Sequence, residues 1–87
     1  MATRTRLKTQ DGKSNQIGGR LRERIETLGL THDQVSARIA ATTSGVWNPG
    51  RLEVTKMIAG LRAITTVELK AIADALDTSE CWLLGRD

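Results

Sequence analysis

Cys81 and His32 are the single cysteine and the single histidine of this 87-residue chain. One thiol cannot close an intramolecular disulfide. One thiol and one imidazole do not make the Cys/His cluster a zinc site needs. The sequence also holds no carboxylate pair and no glycine-rich loop to cradle a phosphate, so an enzyme is not expected, and neither is a metal, a cofactor or a small-molecule ligand. What the side chains do offer is positive charge, placed unevenly. Residues 1–64 carry eleven Lys/Arg against five Asp/Glu, a net of +6, and residues 65–87 carry two against five, a net of −3. The basic part is expected to meet the partner, and a polyanion fits it first. Phe and Tyr are absent, and Trp47 and Trp82 are the only aromatic side chains. That argues against a single-strand binder that stacks bases on aromatic platforms.

The elements that must position this charge are short. The length allows one domain, which buries about 60–65% of its unfolded surface. The longest apolar runs are too short for a membrane span. The basic N-terminus lacks the apolar stretch of a signal peptide, and the lone thiol suits a reducing cytoplasm, the expected location. Residues 1–13 have no apolar period and read as a flexible basic arm with Arg4, Arg6, Lys8 and Lys13. Ile17, Leu21, Ile25 and Leu28 mark one face of a first helix over about 15–28, capped by Ser14 or Asn15 and stopped by Gly29. Arg20, Arg22 and Arg24 lie off that stripe, on an expected solvated face.

Two helix starts carry a full signature. Thr31 with Gln34 makes a capping box, and Leu30 can staple to Val35. Val35, Ala37 and Ile39 are the expected apolar contacts of this second helix, which should fade near Ala40 or Ala41. Thr65 with Glu68 repeats the box, Ile64 staples to Leu69, and Leu69, Ile72, Ala73 and Leu76 form the buried face of a fourth helix. Between them, ATTSGVWNPG at 41–50 is a loop. Asn48 and Pro49 can open a third helix over 49–59, with Val54, Ile58 and Leu61 on one inward stripe, Met57 beside it and Gly60 as its stop. A short fifth helix over 79–84 is capped by Thr78 or Ser79. Trp82, Leu83 and Leu84 either seal the core or form a partner surface. Trp47 either anchors the long loop or extends the contact surface. No segment reads as a strand, so the domain, residues 14–87, is expected to be all-α with five helices.

Several of these segments resemble the repressor/Cro-type (XRE-class) helix-turn-helix family over about residues 17–85. Val54-Thr55-Lys56-Met57 followed by Gly60 is similar to the family's apolar-Ser-Lys-apolar segment ending in glycine. Leu69, Ile72, Ala73 and Leu76 match its L-x-x-I-A-x-x-L helix, Ser79 with Trp82-Leu83-Leu84-Gly85 its closing turn, and Leu30-Thr31 through Val35-Ser36 the start of its first motif helix. There are two departures. The stretch from Ser36 to Val54 is about eight residues longer than the family pattern, and Ile58-Ala59 replaces the Glu-Arg common before the glycine.

The resemblance implies a sequence-specific double-stranded DNA-binding regulator of transcription, a repressor such as those of phages or prophages, at work in the cytoplasm at the nucleoid. It places the third helix in the major groove, with Arg51, Leu52 and Thr55 reading bases. Arg51 can pair with guanine, Thr55 can exchange a hydrogen bond with a base or touch a thymine methyl, and Leu52 offers only methyl contacts or joins the core. Phosphate contacts are expected from Arg4, Arg6, Thr31, His32, Gln34, Arg38, Lys56, Arg62 and Thr65. A lone His32 reads more simply as an ordinary surface residue. A weak homodimer, or one formed only on DNA, would pair through Trp82, Leu83 and Leu84. The alternatives are an antitoxin that represses its own operon and a protein-interaction module that kept the fold without DNA binding.

Overall fold

The structure, a computed structural model, describes residues 8–10 and 12–86. Arg4 and Arg6 of the arm lie outside the described residues. Five α-helices follow in order: α1 (Gly18–Leu28), α2 (His32–Thr42), α3 (Arg51–Ile58), α4 (Thr66–Ala75) and α5 (Glu80–Leu83). No strand occurs among the described residues, and the expected all-α, five-helix architecture stands. α2 packs on both α3 and α4, α1 packs on α3 and α5, and α5 closes against α4. The core takes Leu21 and Ile25, Val35 and Ile39, Val54, and Ile72 and Leu76 from the predicted apolar faces. In α3 it is Met57, expected beside the stripe, that is fully buried with Val54, while Ile58 is half-buried. Each fully buried side chain of this size contributes roughly 1.5–3 kcal/mol. Both capping boxes form. Thr31 Oγ1 accepts from the Gln34 amide at 3.1 Å while Gln34 Oε1 accepts from the Thr31 amide at 2.8 Å. Thr65 and Glu68 do the same at 3.1 and 3.0 Å.

Several expectations are corrected by the geometry. Ala37 is exposed, because Val35, Ala37 and Ile39 are two apart and a helix cannot put all three on one side. Leu61 is 70% exposed rather than inward. Gly60 turns the chain with φ +77°, so the period of α3 ends before Leu61 is reached. α1 begins at Gly18, three residues later than expected, with Ile17 at its cap; Asn15 stands two residues before the cap, where Oδ1 accepts from the amides of Ile17 and Gly18 at 3.1 and 3.0 Å. α3 begins at Arg51 with Gly50 at the cap. Asn48 therefore does not cap it and Pro49 is not its first residue. Pro49 is instead buried, and its carbonyl accepts a hydrogen bond from the Ser36 hydroxyl of α2.

The extra length between α2 and α3 is taken up in two ways. α2 runs on to Thr42, and residues 43–50 form the connection. Ser44 and Gly45 both take left-handed backbone angles, and the Gly45 amide returns to the Ala40 carbonyl at 2.7 Å. Thr43 Oγ1 accepts from the Trp47 amide at 3.1 Å, and the half-buried Trp47 ring packs on the core. Of the two readings of Trp47, the loop anchor is the one seen.

The segment before α1 fastens the far end of α3. Thr9 and Lys13, read from sequence as part of the arm, are joined through the backbone, the Thr9 amide donating to the Lys13 carbonyl at 2.9 Å. Lys13 Nζ then reaches the Ala59 carbonyl at 3.2 Å, and the Ser14 amide reaches the Gly60 carbonyl at 2.7 Å. Asn15 Nδ2 donates to both Met57 and Arg62 carbonyls, at 3.0 and 2.8 Å. The carbonyls of Met57 and of the turn that follows α3 are thus met by residues some 45 positions away in sequence. α1 and α3 also approach closely at Gly18, where a Cβ would stand 2.5 Å from the Ile58 carbonyl oxygen.

Candidate nucleic-acid interface

α3 buries Val54 and Met57 and leaves Arg51, Leu52, Glu53, Thr55 and Lys56 exposed. The three expected base-reading residues, Arg51, Leu52 and Thr55, therefore stand on one open helix surface. Leu52 is 66% exposed, so its alternative reading as a core residue does not hold. On one side lies the start of α2. Thr31, His32, Asp33 and Arg51 line a common depression, and His32 Nδ1 is 2.9 Å from Thr55 Oγ1. On the other side, Lys56 shares a depression of about 760 Å³ with Glu53, Arg62 and Thr65 at the start of α4. Two helix N-termini thus flank the exposed surface of α3. Each capping box satisfies the amides of the cap and of the third helical residue. The amides of the first two helical residues, His32 and Asp33 in α2 and Thr66 and Val67 in α4, remain to meet an anion. The side chains of Thr31, Gln34 and Thr65 hold the boxes themselves and act on an anion only through this arrangement.

Three of the expected contacts are placed elsewhere. Arg62 is not an open cation. Its Nη1 and Nη2 donate to the two Glu68 carboxylate oxygens at 3.0 and 2.9 Å, and its Nε lies 3.2 Å from Glu53. Its guanidinium also lies 5.7 Å from the Trp47 ring centre, so two carboxylates and an aromatic face take up the charge expected to meet phosphate. Arg38 donates to the Ala75 carbonyl at 3.3 Å, at the opposite end of α4 from Thr65. Arg24, expected on a solvated face, works beside it: it donates to the Leu76 and Asp77 carbonyls at 2.8 and 3.0 Å. The pair closes the C-terminus of α4, where cations also complement the helix dipole. Leu83 is fully buried and cannot form a pairing surface. A four-residue helix that packs on α4 and α1 turns Leu83 inward, half-buries Trp82 under the Arg20 guanidinium at 4.8 Å, and leaves Leu84 41% exposed.

Glu68 is therefore both the third residue of a capping box and the partner of Arg62. The hydrogen bond from Arg62, with further help from the Thr65 amide, holds its carboxyl below the ordinary 4.5. A carboxyl lowered in the folded chain stabilises fully above its unfolded value, and that stabilisation disappears as pH falls through the lowered folded value. Glu68→Gln keeps an acceptor for the Thr65 amide but loses the ion pair. It is expected to cost about 1–3 kcal/mol at neutral pH. The gap to the wild-type chain should shrink below pH 4.5, as measured by thermal unfolding across pH. A gap that stays constant into acid would remove this role.

No protein-family model, no curated protein and no solved structure matches the chain. No helix among the described residues is long and apolar enough to cross a membrane.

Proposed function

We propose that this chain is a sequence-specific double-stranded DNA-binding regulator of transcription, a repressor, that lays α3 in the major groove. One observation carries the reading: the exposed surface of α3, with Arg51, Leu52, Thr55 and Lys56, lies between the N-termini of α2 and α4. A helix presented this way can enter a groove about 12 Å wide while the flanking helix ends meet the phosphates on either side. Arg51, at the first position of α3, has the reach and the forked donors for guanine O6 and N7. Lys56, one turn on and beside the start of α4, suits a phosphate. Asp33 and Glu53 on the same rim oppose phosphate, so the approach of the backbone is confined to the cationic positions. Pairing of two copies on a two-fold site belongs to this reading, with Leu84 as the exposed apolar residue of the C-terminal turn. An antitoxin would use the same surface on its own operator.

A protein-interaction module is the second reading, favoured by the exposed Val46, Leu52, Leu61 and Val67. Titration with mixed genomic DNA at low and at high salt separates the two. The DNA reading expects binding at low salt that weakens steeply as salt rises. No binding at low salt would leave the interaction module. Arg51→Ala is expected to cost about 1–3 kcal/mol on the preferred site and to relax one base position. Lys56→Ala should weaken all sequences alike and reduce the salt slope by about 1. Equal effects of both variants across sequences would show that their roles are not distinct.

A further inference from the structure

Thr55 has one hydroxyl proton, and its Oγ1 lies 3.0 Å from the Arg51 carbonyl oxygen and 2.9 Å from His32 Nδ1. A carbonyl oxygen accepts and never donates, so the hydroxyl proton goes to Arg51. With the hydroxyl proton on the Arg51 carbonyl, Thr55 is an acceptor toward His32, and this pairing calls for the tautomer with its proton on Nδ1. This relay leaves Thr55 with a methyl group and one lone pair, and no donor for guanine or for adenine N7. Leu52 stands three residues earlier, on the same side of α3, and is 66% exposed. The reading surface therefore presents two apolar groups beside the cations Arg51 and Lys56. In the major groove the apolar group that base pairs display is the thymine 5-methyl.

Resting on the DNA reading above, we propose that α3 recognises thymine methyl groups through Leu52 and Thr55, with His32 as the positioning residue that holds the Thr55 hydroxyl in the relay and leaves it no proton to donate to a base. The occupant is thus a duplex carrying thymines beside the guanine read by Arg51.

The test uses the full chain and a duplex recovered by selection from a random pool, resynthesised with deoxyuridine at each thymine in turn. Uracil lacks the methyl and keeps every hydrogen-bonding group. Affinity is expected to fall about three- to tenfold at one or two thymines. Leu52→Ala, at an exposed position that leaves the core intact, should lose the response at one of them. In the free chain, nitrogen NMR in mildly alkaline buffer should find the His32 proton on Nδ1. Undiminished affinity for the fully uracil-substituted duplex, or a selected site without thymine, would overturn the methyl readout and leave DNA binding standing. A His32 proton on Nε2 would overturn the relay. No binding to any duplex would remove the DNA reading and the methyl readout together.

Discussion

Replacing Asn15 by aspartate is expected to lower stability by about 2–4 kcal/mol. The side-chain amide of Asn15 uses both of its ends. Oδ1 accepts from the amides of Ile17 and Gly18 and so starts α1, while Nδ2 donates to the carbonyls of Met57 and Arg62 and so closes α3. Aspartate keeps the first pair, and its charge even suits a helix N-terminus, worth about 0.3–1 kcal/mol. It loses the second pair outright. The half-buried Arg62 carbonyl loses its donor at roughly 1–3 kcal/mol, the Met57 carbonyl keeps only the Gly60 amide, and a carboxylate oxygen now faces both. For a domain of this size the unfolding midpoint should drop by roughly 10–25 °C. The pH dependence identifies the cause. A carboxyl that faces carbonyl oxygens is pushed above its ordinary value in the folded chain, and protonation gives it back a donor. The deficit should therefore shrink as pH falls through that raised folded value and level off below about 4. A deficit that is the same at neutral and acid pH would mean that the lost donors are not the reason.

Gly18→Ala and Gly19→Ala are expected to change stability in opposite directions, although the two glycines are adjacent at the start of the same helix. Alanine is favoured over glycine inside a helix by about 1 kcal/mol, and this preference acts at both positions. At Gly19 a Cβ meets nothing within 4 Å, so the preference is realised and the variant gains about 0.5–1 kcal/mol. At Gly18 the Cβ would stand 2.5 Å from the Ile58 carbonyl oxygen and 3.3 Å from the Met57 carbonyl oxygen. Both are backbone atoms at the end of α3, and they cannot swing aside as a flexible side chain would. α1 and α3 must move apart, and the packing of Leu21, Val54 and Met57 between them loosens. The steric cost of about 1–3 kcal/mol or more outweighs the helix preference. Equilibrium denaturation of the two variants checks the prediction. A stabilised Gly18→Ala chain would show that the contact yields.

How much of this was legible beforehand follows from the reach of each signal. The two capping boxes span three residues each, and the core stripes recur every three or four. Such patterns are complete within one helix, so Thr31 with Gln34, Thr65 with Glu68, and Ile72 with Leu76 could be placed from spacing alone. Asn15 could be named only as one of two possible caps, because its other two partners stand 42 and 47 residues away. Arg62 failed for a similar reason. Glu68 was recognised as a capping residue, but the cap itself is what delivers its carboxylate to Arg62, and that encounter depends on how the chain enters α4. Leu83 could not be separated from Trp82 and Leu84 because three apolar residues in a row have no period. Gly18 carried no mark at all, since a glycine in a helix reads as weakness until the neighbouring backbone is seen. The exposed surface of α3 was partly legible: its sequence position came from the family resemblance, but the relay from His32 through Thr55 to Arg51 joins two helices and needed the fold.

The two tryptophans carry a consequence of another kind. Each lies beneath an arginine, Trp82 under Arg20 at 4.8 Å and Trp47 near Arg62 at 5.7 Å, and no tyrosine accompanies them. They report on different joints of the molecule, Trp82 on the contact of α1 with α5 and Trp47 on the connection between α2 and α3. Their emission is therefore a pair of built-in optical gauges, free of any tyrosine background. One is set at the closing turn, and the other beside the helix that we place in the groove.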